Sequence, residues 1–254
     1  MSLFALEFPP TSHLIEWPDI VGRGWYGVNK VVILLGISLV IAGVFFVLAG
    51  RPKALVPRGA QNFAEAIVDF IRNDIIMQTM GTDGLWWAPF LFTLFIFVFM
   101  CNIWEIIPIA QMPVSSRIAI PVFLALMVWV LYIVVGIKHQ GPIGYWKNAI
   151  FPPGVPWPLY ILVTPIELVS IVIVRPLSLS VRLFANMLAG HLLLVSFAVL
   201  TAALFVAPVY IFAALPFALL VALTGFELLV AVLQAFIFTI LTAVYLGSSL
   251  HPDH

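Results

Sequence analysis

Two apolar stretches in the carboxyl-terminal part of the sequence constrain the fold most. Residues 159–206 and 208–247 are predominantly apolar over 48 and 40 positions. As α-helices they would be about 72 and 60 Å long, whereas the hydrocarbon core of a bilayer is about 30 Å thick. Each stretch therefore either breaks into two spans or crosses once at a steep incline, and periodicity leaves both arrangements open. Pro165, Pro176 and Pro216 are places where such helices can bend.

Three shorter apolar segments, residues 31–50, 86–108 and 118–137, each have the length of one membrane span. Between the first two, residues 60–77 have an apolar stripe opposite a polar face, which predicts an amphipathic helix in the membrane interface. The stripe is Phe63, Ile67, Phe70, Ile71 and Ile75, and the polar face is Glu65, Asp69, Arg72 and Asn73. A soluble helix packed on another domain is the alternative. After residue 137 we expect a turn-rich connector that cannot continue a helix, because it contains four prolines: Pro152, Pro153, Pro156 and Pro158.

The composition places the chain in the polytopic membrane class, with 63% hydrophobic and 9% charged residues and a formal net charge of zero. The sequence has no basic run for nucleic acid and no glycine-rich loop for a nucleotide. Cys101 is the single cysteine, and the five histidines are scattered without metal-ligand spacing. We therefore expect one all-α membrane domain over residues 1–254 that binds no nucleic acid, nucleotide, cofactor or metal.

Positive charges predict the orientation of this domain. The segments after the first and third spans hold more basic residues than the amino-terminal tail, residues 1–30, and the loop after the second span. We therefore expect the amino terminus outside. The richer segments hold Arg51, Lys53, Arg58, Arg72, Lys138 and Lys147, and the poorer ones Arg23, Lys30 and Arg117.

Arg182 lies in the middle of sequence that is otherwise typical of lipid-immersed helix. An arginine at bilayer depth costs about 2.5–3.5 kcal/mol on insertion scales, so it needs a structural or functional reason to be there. On an ideal helix, several polar and small side chains project within about 40° of the direction in which Arg182 projects, while His191 projects from the opposite side. We call this side of the helix the Arg182 face; its members are Arg175, Ser178, Arg182, Asn186 and Ala189.

The remaining polar residues at membrane depth allow two interpretations. Glu167 lies about 60° from the Arg182 face, and Glu105 lies near the end of the second span. In the last segment, Glu227, Gln234 and Tyr245 fall within about 20° of one another. Either Arg182 pairs with Glu167 or Glu227 as internal structure, or these groups line a water-filled ion path. His191 is accordingly either a hydrogen-bonded structural residue or, with Glu227, a proton relay. The ion path accounts for all of them together.

Three motifs carry a resemblance to a known family. The sequences Ser-Val-Arg-Leu-Phe-Ala-Asn-Met-Leu-Ala-Gly-His at 180–191 and Leu-Gln-Ala-Phe-Ile-Phe-Thr-Ile-Leu-Thr-Ala-Val-Tyr-Leu at 233–246 resemble subunit a of the F-type ATP synthase. Asn-Ile-Trp-Glu-Ile-Ile-Pro at 102–108 is similar to that family's motif at the end of an earlier span. The likeness covers residues 51–246 and is closest in style to actinobacterial, mycobacterial-like members.

The resemblance implies five crossings in a bacterial plasma membrane, with the carboxyl terminus in the cytoplasm. It implies that the last two helices form a tilted hairpin around a ring of c subunits, held by b-type stator subunits and the rest of the F1F0 complex. Such a subunit conducts protons and is not catalytic alone.

By the same resemblance, Arg182 is the essential cation facing the ring, with Asn186 and Gln234 as its polar neighbours. His191 and Glu227 match the acid–imidazole pair of the outer channel, in positions exchanged relative to many bacterial members. The expected proton path further includes Glu105, Glu167, Arg175, Ser178 and Tyr245.

Three other classes of membrane protein compete with this assignment. A secondary transporter would normally show internal repeats, and the sequence shows none. A non-conducting scaffold would tolerate apolar replacement of Arg182 and Gln234. An intramembrane hydrolase would need a Ser–His or paired-Asp constellation, which is not evident.

Overall fold

The computed structural model describes residues 29–49, 59–107, 110, 112, 114–151, 156–206 and 210–250. Within these ranges every regular element is helical and there is no strand. Five helices are long and apolar enough to cross a membrane: Lys30–Leu48, Thr82–Ile103, Ala119–Gln140, Trp157–Phe205 and Ile211–Leu250. The prediction of an all-α polytopic membrane protein is confirmed.

We number the α-helices in chain order, leaving out the three-residue helix Met77–Thr79. They are α1 (Lys30–Ala49), α2 (Ala60–Phe70), α3 (Ala88–Ile103), α4 (Ala119–Gln140), α5 (Pro142–Ile150), α6 (Tyr160–Val169), α7 (Arg175–Val206) and α8 (Ala214–Leu250). Short 3₁₀ turns precede α3, α4, α6 and α8. The predicted tail, apart from its last two residues, and the cations Arg51, Lys53 and Arg58 lie outside the described residues.

The two long apolar stretches each form one helix instead of two spans. The first runs from Trp157 to Phe205, as α6 and α7 joined without a break by the π-turn Ser170–Val174. The second is α8, with 37 residues. The two pack against each other, and both pack on α4. Of the two arrangements that periodicity left open, the structure has the continuous one.

The amphipathic segment is helical. Helix α2 continues through the π-turn Ile71–Ile76, which buries Ile71, Ile75 and Ile76. Phe63, at the other end of the predicted apolar stripe, is 59% exposed and makes an edge contact with Phe45 of α1. The location of this helix in the membrane interface stays a prediction.

The connector after α4 contains a helix that the prolines did not predict. Gly141 adopts a φ of 77° and turns the chain, and Pro142 begins α5 at a position where a missing amide has no cost. Tyr145 of α5 then packs directly over Gly136 of α4. The chain between α4 and the prolines thus does not continue α4, as expected, but it contains a separate helix that was not expected. Of the four prolines, Pro152 and Pro153 lie outside the described residues.

Candidate functional site

The Arg182 face is the open side of α7. Arg175, Ser178 and Arg182 are half-buried, and Asn186 is exposed, as is Ala189. The other side of α7 is fully packed, with Leu179, Leu183 and Met187 buried against α4 and α8. The helical spacing thus sorts α7 into a side packed within this subunit and a polar side directed away from it.

Arg182 makes few polar contacts among the described residues. Its Nη2 donates a long hydrogen bond, 3.4 Å, to Oγ of Ser178 one turn earlier. Among the described residues no carboxylate lies within ion-pairing distance of it, so neither Glu167 nor Glu227 forms the internal pair that was one of the two interpretations. A permanent cation in an apolar segment needs a counter-charge or water. The described part of the chain supplies no such counter-charge.

Nine residues further along α7, the opposite side carries a titratable group of a different kind. His191 is buried, and its Nδ1 lies 3.8 Å from Oε1 of Glu105. Nine residues correspond to about 14 Å along the helix axis. The fixed cation and the imidazole are therefore separated both along and around α7.

Glu227 completes this group from α8. Its carboxyl group lies directly over Gly190, so close that a Cβ on that glycine would be 2.5–2.6 Å from the carboxyl atoms. Glu227 also interacts electrostatically with Glu105, whose Oε1 lies 3.8 Å from His191. We call Glu105, His191 and Glu227 the acid–imidazole cluster; they are 5%, 8% and 4% exposed.

Local structure at the end of α3 positions Glu105. The helix ends at Ile103, and the Glu105 amide donates to the Asn102 carbonyl in the turn that follows. The buried Asn102 side chain accepts a 2.6 Å hydrogen bond from the hydroxyl of Ser115, which ties the turn to the 3₁₀ segment before α4. The Asn102–Glu105 spacing therefore turns the carboxyl group into the protein instead of toward solvent.

Burial has a direct electrostatic consequence for Glu105, which lies beyond Ile103, where the second membrane-spanning helix of the structure ends. Desolvation raises the pKa of Glu105 to about 8, and the nearby Glu227 carboxylate adds to the rise. Oε1 of Glu105 and Oε2 of Glu227 have no hydrogen-bond partner among the described residues. A proton on such a carboxyl group removes the large penalty of burying a charge. Only 5% of Glu105 is exposed, so its carboxyl group does not lie on the surface of the described part of the chain.

The remaining candidate residues distribute between the two long helices. Gln234 is buried on α8, two turns from Glu227 and on the same side. Tyr245, further along that side, carries the guanidinium of Arg175 over its ring, 5.2 Å from the centroid. Glu167 is half-buried on α6, before the π-turn, and makes no ion pair among the described residues. The structure thus brings Arg175 and Tyr245 together but leaves Glu167 apart.

The sequence analysis did not predict the close contact at Gly190. Its signal was available, since a glycine beside an intramembrane histidine permits close approach of another helix. What no spacing rule could reveal is that the approaching group is the Glu227 carboxyl group. In the described part of the chain, no group of His, Cys, Asp and Glu side chains has the arrangement of a metal site.

Comparison with known proteins places this arrangement in context. The chain matches a family model described as "ATP synthase A chain" over residues 31–247. It is 40% identical over 251 residues to an ATP synthase subunit a of Frankia alni, covering 96% of this chain and 87% of that protein. The Rhodococcus erythropolis protein of the same description is also 40% identical over 251 residues, with coverages of 97% and 89%. That of Hyphomonas neptunium is 46% identical over 222 residues, with coverages of 87% and 85%.

Proposed function

This chain belongs to the ATP synthase A chain family, and from that premise we propose that it is the proton-conducting stator subunit facing a ring of c subunits. Membership makes it a multi-pass membrane subunit of the F-type ATP synthase. The proposal adds a path for protons and a role for each polar group. It also places the chain in a bacterial plasma membrane with its amino terminus outside, as Lys138 and Lys147 after the third span favour.

The observation that carries the proposal is the separation of two kinds of charge on one helix. Arg182 lies on the open side of α7 without a counter-ion among the described residues, and the buried acid–imidazole cluster lies on its packed side. A structural ion pair would bring opposite charges together. A path in which protons move while one cation stays fixed needs them apart, and this arrangement supports such a path.

In the proposed mechanism, a proton enters from outside through a half-channel at the acid–imidazole cluster. Imidazole and a carboxyl group of raised pKa both exchange protons near neutral pH, so His191 and Glu105 suit a relay. The proton then neutralises a carboxylate on the c ring. The neutral site rotates into lipid, where a bare carboxylate would be far too costly. After nearly one turn, the site releases its proton into an inner half-channel.

Arg182 separates the two half-channels. A guanidinium does not deprotonate in proteins, so it attracts the ionised ring carboxylate and cannot itself pass a proton onward. Asn186, exposed one turn away on the same face, and Gln234 on α8 are its polar neighbours in this proposal. Each proton crossing 100 mV then delivers about 2.3 kcal/mol to rotation instead of leaking.

The test is replacement of Arg182 in the complete ATP synthase reconstituted into vesicles. Arg182→Ala should abolish proton-driven ATP synthesis, and Arg182→Lys should also fail, because lysine is a compact point charge that can deprotonate. Arg117→Ala is the matched control, since this half-buried arginine lies in the turn before α4 and outside the proposed path. Wild-type ATP synthesis by Arg182→Ala would refute the proposal and favour a non-conducting scaffold.

A further inference from the structure

The backbone carbonyl of Ile171 has lost both of its possible partners within its own helix. In an α-helix it would accept from the Arg175 amide, but that amide donates to Ser170 across the π-turn. In continued π-helix geometry it would accept from residue 176, which is Pro176 and has no amide hydrogen. Ile171 is 2% exposed, so water is not an easy substitute.

Two side chains of α4 replace those partners. Nε1 of Trp129 donates to the Ile171 oxygen at 2.9 Å, and the Tyr132 hydroxyl donates to the same oxygen at 3.0 Å. Trp129 and Tyr132 are three residues apart and share one side of α4. A carbonyl oxygen has two lone pairs, so these two donors satisfy it completely.

Pro176 explains why the irregular turn occurs at this point. A proline ring inside a helix clashes with the carbonyl four residues earlier, here that of Val172. The wider π-turn Ser170–Val174 lies directly before the proline and makes room for the ring. The turn also adds one residue, which rotates everything beyond it by about 100° relative to a regular helix.

Ring contacts near Tyr132 connect α4 to α8, and α8 in turn to α7. The ring of Tyr132 lies 5.7 Å from that of Tyr245 on α8, and Tyr245 in turn contacts the Arg175 guanidinium. Arg182 lies eleven residues beyond Ile171, about 16 Å along the helix. Because the helix between Ile171 and Arg182 is rigid, the rotation that the π-turn gives α7 about its axis also sets the direction in which Arg182 projects.

We propose that Trp129 and Tyr132 are positioning residues for Arg182: by holding the Ile171 carbonyl they fix the π-turn, and with it the rotation that presents Arg182 to the rotor. This inference rests on the proposed function of Arg182. If the carbonyl lost both donors, the turn would no longer be held in place. The Arg182 face would then sample other rotations, and coupling would fall although the residue itself is unchanged.

The experiment compares Trp129→Phe, Tyr132→Phe and the double variant in the complete ATP synthase. ATP-driven proton pumping is divided by ATP hydrolysis in the same vesicles, which gives the coupling per assembled complex. Each single variant leaves one donor on Ile171, so we expect a loss of no more than about threefold. The double variant should lose at least about tenfold, more than the product of the two single effects.

Two further measurements separate positioning from packing. Tyr145→Phe removes the hydroxyl of another buried tyrosine, on α5, and should leave coupling unchanged. Cross-linking between Ala189→Cys, on the Arg182 face, and a cysteine on the ring reports the rotation of α7 directly. Its yield per assembled complex should fall in the double variant and stay constant in the Tyr145→Phe control.

Arg182→Ala is measured alongside. Coupling in the double variant that equals the wild type, or that equals the product of the single effects, overturns the inference. So does a loss fully explained by less subunit in the complex, or an unchanged cross-link yield. If Arg182→Ala keeps full coupling, the proposed function fails and the inference fails with it. If Arg182→Ala loses coupling while the double variant keeps it, only the inference fails.

Discussion

Gly190→Ala should separate function from stability at the acid–imidazole cluster. A Cβ at position 190 would lie 2.5–2.6 Å from the Glu227 carboxyl atoms, whereas ordinary contact begins near 3.4 Å. The carboxyl group must therefore retreat by about 0.8–0.9 Å to relieve the contact. It ends a flexible side chain, so the side chain moves and the helices stay in place.

The two consequences of this change have opposite signs. Replacing a glycine within a helix by alanine stabilises the helix by about 0.5–1 kcal/mol, which offsets the close contact. Displacing a group that transfers protons by nearly 1 Å lowers the rate of transfer by about 10- to 100-fold. We therefore expect Gly190→Ala to assemble normally and to pump protons poorly.

The assay is ATP-driven acidification of vesicles that contain equal amounts of assembled complex. Gly225→Ala on α8 is the matched control, because it makes the same change within a helix and a Cβ there meets nothing within 4 Å. The control should pump at the wild-type rate. Wild-type pumping by Gly190→Ala would refute the claim that the Glu227 position limits proton transfer, and failure of Gly190→Ala to assemble would refute the claim that the side chain absorbs the contact.

Three other variants test separate parts of the account. Burial holds the pKa of Glu105 near 8 instead of 4.5, so between these pH values the folded chain binds a proton there that the unfolded chain releases. The thermal midpoint of the membrane sector should therefore fall as pH rises from about 4.5 to about 8. Glu105→Gln should flatten this dependence, and an unchanged slope would contradict it. Gly247→Ala places a Cβ 2.7 Å from the backbone carbonyl oxygen of Thr79, which should destabilise the fold by about 1–3 kcal/mol and lower the thermal midpoint. Gly43→Ala is the control, because a Cβ there meets nothing within 4 Å, and it should leave the thermal midpoint unchanged. Gln234→Leu keeps the approximate volume of a buried side chain but removes its amide, and should impair pumping without reducing assembly; full pumping would favour the scaffold.

Local pattern was sufficient to predict the three shorter membrane-spanning helices, because every backbone polar group in lipid must be satisfied within its own segment. These spans and the two faces of α7 follow from periodicity and length, whereas the continuity of the two long helices was left open by periodicity and implied only by the resemblance. The two π-turns do not follow from periodicity, because a regular wheel assumes 3.6 residues per turn throughout. For this reason the angle assigned to Glu167 does not carry across Ser170–Val174 to Arg182.

Contacts between distant segments were the other part that sequence could not supply. Glu105 and His191 are 86 positions apart, and no spacing rule relates them. The pairing depends on how the turn after α3 folds, and the Asn102–Ser115 hydrogen bond ties that turn to the segment before α4. Likewise the donors on Ile171 come from α4, 39 and 42 residues away, so proline alone indicated a bend without indicating what holds it.

The most direct test of the central claim is a cross-link from the two sides of α7 to the rotor. In a Cys101→Ser background, Ala189→Cys lies on the exposed Arg182 face and Met187→Cys lies on the fully buried side. Each is paired with a cysteine one helical turn from the ring carboxylate in the assembled complex. The account predicts a cross-link from position 189 and none from position 187. A ring cross-link from 187 instead of 189, or from neither, would show that Arg182 does not face the rotor.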